Sequence, residues 1–585
     1  MDYYGFMSRP LRQLFALALL ALGAAHSTFA ASPTANEPNN SGLDRDLFYE
    51  LLVGELSAQA GDNSAAYALL LDAARKSNAP RLYQRAVELA LGARSGESAL
   101  DAARAWNNAF PASPEANRYL LQILIGMNRI ADIQEPLKRH LSHLSAPERT
   151  MVINLLPRYF ARATDKNLVA TVVEQALANE LKDHTTGAAA WSTVGLLRLQ
   201  AGDSGGAMEA SRRAAALNTK AEEPAYLALG LMGPKNPAAE TLVLKYLAGR
   251  ASPELRMTYV RNLLDLQRNG DAYAQAQIVT HDWPDFAEGW LVQGSLELQN
   301  QKLAQSETSL KTYLARASTT DTAAPGVEMG RGIVQAYFLL AQIAEQTQRL
   351  EQAQTYLQRI DSPKDALRVA SRQAAILARQ GKLDQARAVI RKVPELQVED
   401  ERAKISAEVQ LLRENRQYLP AYQLLVDALA RYPQDSELLY DQAMLAEKVG
   451  NSAEMERLLR QLIEIKPDFH HAYNALGFSL AERNIRLGEA RTLIAKALEL
   501  APNDPFIVDS MAWVEFRSGN ATEALKLLQG AFESRPDAEI AAHMGEVLWT
   551  TGQREQALAI WKKGAELNPD NETLLETTER LQSKQ

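Results

Sequence analysis

The sequence predicts an all-α solenoid, a right-handed superhelix of helix-turn-helix repeats. Three observations carry that expectation. First, five prolines near the C-terminal end, Pro433, Pro467, Pro502, Pro536 and Pro569, stand 34, 35, 34 and 33 residues apart. Proline lacks the N–H that continues a helix and its ring clashes with the preceding turn, so each one punctuates the end of a helical pair. Second, small residues recur in phase. Ala421, Ala490, Ala524 and Ala557 each lie 12 residues before a proline, and Gly477 and Gly545 lie 25 and 24 before theirs. Third, good helix formers dominate the composition and no stretch alternates with the period of a strand.

The spacing and residue types resemble the tetratricopeptide repeat (TPR): an apolar-x2-Leu-Gly step on a first helix, Ala and a large apolar residue on a second, then Pro. The small positions let two helices approach, and Leu425, Ile494, Leu528 and Trp561 fill the space between them. One hairpin cannot bury its apolar face alone, so hairpins stack with a continuous core. That resolves the length, because 585 residues exceed what one core supports.

Taken in order, Val53-Gly54, Gly61-Asp62, Ala66 and Leu70 mark a first repeat. Ala99, Ala103, Trp106 and Pro111 mark a second. Residues 114–187 keep helical periodicity without the signature and read as two degenerate repeats. Trp191-x2-Val194-Gly195 restores it, with Arg198 where the signature has Tyr, and Ala207 and Ala214 follow. Residues 219–252 are degenerate again, with a turn at Gly233-Pro234. Ala272, Trp290 and Gly294, then Ala341 and Ala353, then Ala374, Gly381 and Ala386 carry the pattern to the proline-phased stretch. About twelve recognisable and three degenerate repeats are expected at ~34 residues each. The chain divides on this basis into a signal peptide (1–30), a linker (31–43), an N-terminal array (44–315), a loop (316–329) and a C-terminal array with a capping helix (330–585).

The signal expectation rests on Arg9 and Arg12, the apolar run Leu14 to Ala25, and Thr28-Phe29-Ala30 before Ala31. That is the three-part order of a secretory signal. Met7 offers a second start. With no cysteine in the chain there is no disulfide framework, thiolate metal site or lipidation site. Leu22-Gly23-Ala24-Ala25 has the form of a lipobox with alanine in place of the lipidated residue. A periplasmic location follows, peripheral to the outer membrane only through a partner. The 63 basic and 71 acidic residues are well mixed, without a basic stripe, which argues against a nucleic-acid partner.

Catalytic and metal chemistry is not expected, and neither is a cofactor. Gly202-Asp203-Ser204-Gly205-Gly206 spells the motif around a trypsin-like nucleophile, but it falls where a repeat turns from its first helix to its second. A triad is recognised by geometry, and nothing here places a His–Asp pair beside that serine. His140 and His143 could share a helix face but lack a third ligand. His470 and His471, adjacent in one helix, are expected to point apart.

Protein binding is the expected activity. In the repeat frame the groove-facing positions of the C-terminal array hold Tyr440, Met444, Asn474, Phe478 and Phe506, then Asp509, Trp513, Phe516 and Arg517, then Glu546 and Trp549. Aromatics and Arg are what protein-binding hot spots favour. Tyr440, Phe478, Asp509, Trp513, Phe516, Arg517 and Trp549 are the candidate contacts, with Trp513 and Phe516 foremost because Met511 and Val514 already supply the apolar face toward the second helix.

The run AYNALGFSLAERNIRLGEARTLIAKALELAPNDPFIVDSMAWVEFRSGN (472–520), with FYELLVGELSAQAGD and RLYQRAVELALGAR near the start, resembles one group. It is the long TPR outer-membrane lipoproteins typified by LbcA, partner of the carboxyl-terminal processing protease. The resemblance implies a spiral that holds and activates that periplasmic protease and promotes degradation of cell-wall cross-link hydrolases. The missing lipobox cysteine departs from the group. A scaffold for assembly or export of polysaccharide, pilus or outer-membrane protein is the alternative, and a peptidoglycan-associated structural role a third.

Overall fold

The computed structural model describes residues 43–234, 236–249, 251–319 and 327–583. The signal and most of the linker lie outside them. Every regular element among the described residues is helical: thirty-one α-helices and three short 3-10 turns. Most consecutive helices pack as pairs, and one further helix, Glu572–Gln582, packs on Ala538–Thr550. The four phased pairs at the end are Ser436–Lys448 with Ser452–Ile465, His470–Glu482 with Leu487–Leu500, Pro505–Arg517 with Ala521–Ser534, and Ala538–Thr550 with Arg554–Leu567.

Local chemistry explains where each helix starts and stops. The prolines sit in the links between pairs, each just before the next first helix. The side chains of Asp435, Asp504, Asp537 and Asn571 then accept hydrogen bonds from the first free backbone N–H groups of those helices. Within a pair, the turn needs one left-handed residue. Gly450, Asn484, Gly519 and Gly552 supply it in phase, with φ between 56° and 91°. Asn451 N–H reaches back to Ala446 O, and Asn520 N–H to Glu515 O, each at 2.8 Å, closing the helix end.

The phased small residues are fully buried: Ala421, Ala490, Ala524 and Ala557 expose nothing. Leu425, Ile494, Leu528 and Trp561 pack beside them. A Cβ added at Gly477 would stand 2.6 Å from Ile494 Cγ1 and 2.9 Å from the Ala490 carbonyl oxygen, and one at Gly545 would land on the Trp561 indole. The glycine is required by close helix approach, not by backbone twist.

The stretch 114–187 forms four helices: Pro114–Gly126 packs with Gln134–Ser142, whereas Ala146–Tyr159 and Lys166–Ala176 each pack on Gly187–Gln200. Residues 219–252 form a further pair, Glu223–Leu231 with Pro237–Leu247. The described chain gathers into two compact units, one ending at Gln267 and the other beginning at Arg268. The expected loop at 316–329 falls within the second unit. Helix Leu303–Thr319 runs into it and Val327–Gln346 out of it, and residues 320–326 lie outside the described residues.

Gly545→Ala is expected to destabilise the C-terminal unit by about 1–3 kcal/mol or more, because the Trp561 ring has nowhere to move in a packed core. Thermal or urea unfolding checks this, and an unchanged midpoint would show that the pair can relax apart.

Candidate functional site

The first helices of the last four repeats lie side by side, so residues one repeat apart become neighbours. Tyr440, Asn474, Asp509 and His543 occupy one repeat position, 34, 35 and 34 residues apart. Met444, Phe478 and Trp513 occupy another, 34 and 35 apart. Between them lies a pocket of about 210 Å3. Its walls include Tyr440, Met444 and Glu447 from one first helix, Asn474 and Phe478 from the next, Phe506 and Asp509 from the third, and Glu539 from the fourth.

The candidate contacts fall into three groups. Tyr440 and Phe478 are half-buried and line the pocket. Tyr440 meets Phe469 edge-on at 5.6 Å between ring centroids. Asp509 and Trp513 are closed off, at 5% and 2% exposure. This corrects the expectation that Trp513 offers an open face. Its indole stacks on His543 at 4.6 Å and its Nε1 donates to Glu482 Oε2 at 2.6 Å. Asp509 touches the pocket but is held by His543 Nδ1 at 2.8 Å. First helices of adjacent repeats are close enough that a large side chain between them fills the gap rather than facing out.

Phe516, Arg517 and Trp549 form the third group. Phe516 is half-buried, 5.3 Å from Trp513. Arg517 donates to the Ala481 and Glu482 carbonyl oxygens at 3.2 and 2.9 Å. It thereby caps the preceding first helix, where a cation also complements the helix dipole. Trp549 lies 5.4 Å from Trp561 and under the Arg554 guanidinium. Glu546 is buried and accepts from Arg580 of the last helix.

His470 and His471 do not point apart. Their rings lie 4.0 Å between centroids, because both occupy the first turn of the helix and His471 folds back against Phe469. His140 is half-buried, and burial, helped by Arg118 and His143, holds its pKa below the usual histidine range.

Three pocket features escaped the sequence: Glu447, Glu539 and the His543–Asp509 pair. The signal for the pair was present, because His543 stands one repeat after Asp509. Burial alone would depress the His543 pKa. Asp509, by charge and hydrogen bond, with Glu539 and Glu482 nearby, overrides it and pushes the imidazole up to about 9.

The motif at 202–206 lies in a repeat turn. Gly202 has φ of 87°, Asp203 Oδ1 accepts from Gly206 N–H at 2.8 Å, and Ser204 opens the next helix, exposed. Among the described residues there is no cluster of three or more metal-ligating side chains, and no helix long and apolar enough to cross a membrane.

Known proteins match parts of the chain. The tetratricopeptide repeat family model matches residues 334–362, the pair formed by Val327–Gln346 and Leu350–Gln358. The helical pairs of the described residues are consistent with an all-α tetratricopeptide-repeat solenoid. The TPR repeat-containing protein PA4667 of Pseudomonas aeruginosa is 38% identical over 211 residues, 36% of this chain and 36% of that one. The human protein O-mannosyl-transferase TMTC1 is 27% identical over 172 residues, 28% of this chain and 19% of its own. The matches thus span well under half the length of these relatives. Among solved structures, a TPR protein of Parabacteroides merdae is 16% identical, covering 43% of this chain and 99% of its own with a TM-score of 0.34. A thermophilic TPR protein of Thermus thermophilus is 23% identical, covering 30% and 94% with a TM-score of 0.28.

Two outcomes are expected. Ser204→Ala should leave thermal midpoint and partner binding unchanged, and any peptidase activity lost on this substitution would expose a real nucleophile. The raised His543 pKa contributes stability that is fully present below the unfolded value of 6.5 and is lost as pH rises through about 9. Replacing both partners, with Asp509→Asn and His543→Gln, should flatten the fall in midpoint across that window. An unchanged slope would show that the pair is not the titrating element.

Proposed function

We propose that this chain is a non-enzymatic periplasmic adaptor. Its C-terminal TPR repeats hold a carboxyl-terminal processing protease and promote that enzyme's action on cell-wall hydrolases. The observation that carries the binding part is the pocket walled by Tyr440, Phe478, Phe506 and Met444 from three successive first helices. Half-exposed aromatic rings held on a rigid scaffold lose little freedom when a partner covers them, so their burial is available for binding. The protease part is supported by the runs 472–520 and 48–62 and their resemblance to the LbcA-type group. TPR folds are typically non-enzymatic, and the match to a transferase spans 19% of that protein.

The test uses the purified chain with a processing protease from the same organism and one cell-wall hydrolase substrate. The adaptor should co-elute with the protease and raise its cleavage rate. Tyr440→Ala and Phe478→Ala should each weaken the complex by roughly thirtyfold, about 2 kcal/mol, with little change in thermal midpoint. Trp513→Ala, by contrast, should lower the midpoint as a core truncation does, by about 3–5 kcal/mol of stability. Absence of co-elution and of any rate effect would remove the protease from the proposal. Recovery of the chain in the cytoplasmic fraction would remove the periplasm.

A further inference from the structure

Given that the pocket is the protein-binding face proposed above, on which this inference rests, its chemistry specifies more than an apolar partner. Its charged polar groups without an ion pair are carboxylates. Glu447 and Glu539 line it with carboxylates that make no ion pair and accept no hydrogen bond from the described residues. Asn474 adds an Oδ1 that is shut off from water and has no partner. Asp509 is engaged by His543, and Ser510 Oγ donates to the Phe506 carbonyl oxygen, while the Tyr440 hydroxyl and the Asn474 side-chain amide nitrogen remain as donors. The rest of the wall is aromatic or thioether: Tyr440, Phe478, Phe506, Met444 and Met455.

The nearby cations are committed elsewhere. Lys448 reaches toward Glu572, Arg483 donates to the Ser479 carbonyl oxygen near Glu456, and Arg413 faces Asp441. Arg535 covers one face of Phe506 at 4.9 Å, and His543 is spent on Asp509. Burial first, and then Glu482, pushes the Glu447 carboxyl above the usual range, against Lys448 and Arg483. Burial, with Asp509 and Asp537, does the same to Glu539, against His543 and Lys448. An acceptor withdrawn from water without a donor is costly, as at Asn474 Oδ1, and an arriving cation offsets that cost while also meeting the half-buried Glu539 and the exposed Glu447. The volume, about 210 Å3, is below the ~300 Å3 at which drug-sized ligand sites begin, so it suits a side chain rather than a cofactor.

We infer that the pocket takes a lysine or arginine side chain from a basic segment of the partner protein. Its alkyl stem lies on Phe478 and Met444, and its cationic head is shared by Glu447 and Glu539. Long basic side chains cover apolar surface with their stems and present only the head to charge, and aromatic faces attract that head as well.

The test is fluorescence polarisation with a short labelled peptide, capped at both ends, carrying one central Lys among Ala and Leu. Its Met and Glu counterparts serve as controls. The Lys peptide should bind at least about tenfold tighter than the Met peptide, and the Glu peptide should not bind. Glu447→Gln with Glu539→Gln should remove most of that preference while leaving the thermal midpoint unchanged or raised, which a merely structural pair of acids would not do. Affinity should also fall as pH is lowered, starting above the usual carboxylate range, as the two raised carboxyls protonate. Equal binding of the Lys and Met peptides, or a double variant that binds as the parent does, overturns the cation. If Phe478→Ala then weakens both peptides alike, the protein-binding face survives without it. If neither peptide binds, the cation is again overturned, and if protease co-elution is also indifferent to Phe478→Ala, the face falls with it.

Discussion

The structure depends on how closely two helices can approach. Where Gly477 passes Ala490 and Ile494, or Gly545 passes Trp561, the space left is smaller than one methyl group. That approach sets the width of these helical pairs, and the width sets how the next pair docks. Because each pair buries its apolar face only against its neighbours, a fault at one contact is felt locally and is not averaged over a large core. The in-phase caps and left-handed turns serve the same geometry, since they set the length of each helix. Residues 34 or 35 apart are thereby brought to the same height on adjacent helices.

That geometry explains what was legible in the sequence. Fold class and the phase of the C-terminal repeats depend on residue types at fixed spacing, and Ala524, Ile494 and Trp561 occupy the buried contacts their spacing implied. The burial of Trp513 was not legible, because it is decided by His543 and Glu482, about one repeat away on either side. Periodicity within one helix says which face a residue is on, and here two faces were both enclosed. The stacked rings of His470 and His471 were missed for a related reason. The first turn of a helix is bounded by a link, whose Phe469 draws His471 back. Tyr440 and Phe478 were legible as pocket residues because both stay half-buried in a wall that the small Ala475 and Ser510 leave open.

Charge crosses the stack in the same way. Glu482, Trp513, His543 and Asp509 form one connected set across three first helices. Elsewhere in the second unit, Glu408 is buried between Arg387 and Arg391, and Glu345 between Arg372 and Arg379. Breaking such a pair from one side strands a buried charge, whereas replacing both partners is much less damaging. These sets hold the register between neighbouring repeats where apolar packing alone would tolerate sliding. They engage the buried Glu345, Glu408, Asp509, Glu515 and Glu546, whereas Glu447 and Glu539 in the pocket wall make no ion pair with the described residues.

The pocket opens at this point in the array for a reason that lies in the repeat frame. The position held by Asp441 in one first helix is held by Ala475, Ser510 and Met544 in the three that follow. Two small residues in succession, both in the pocket wall, leave room between Tyr440 and Phe506 that a longer side chain would fill. At the neighbouring position, Met444 and Phe478 stop short of the enclosure that Trp513 achieves one repeat later. The site is therefore a local lapse in the rule that packs the rest of the stack: the same 34-residue step that closes the core at Trp513 leaves it open at Ala475. Changing a few side chains at one repeat position would move or close such a pocket without disturbing the helices. A common scaffold can on this account serve different partners, and the Ala475–Ser510 step is the part of this chain where its own specificity is encoded.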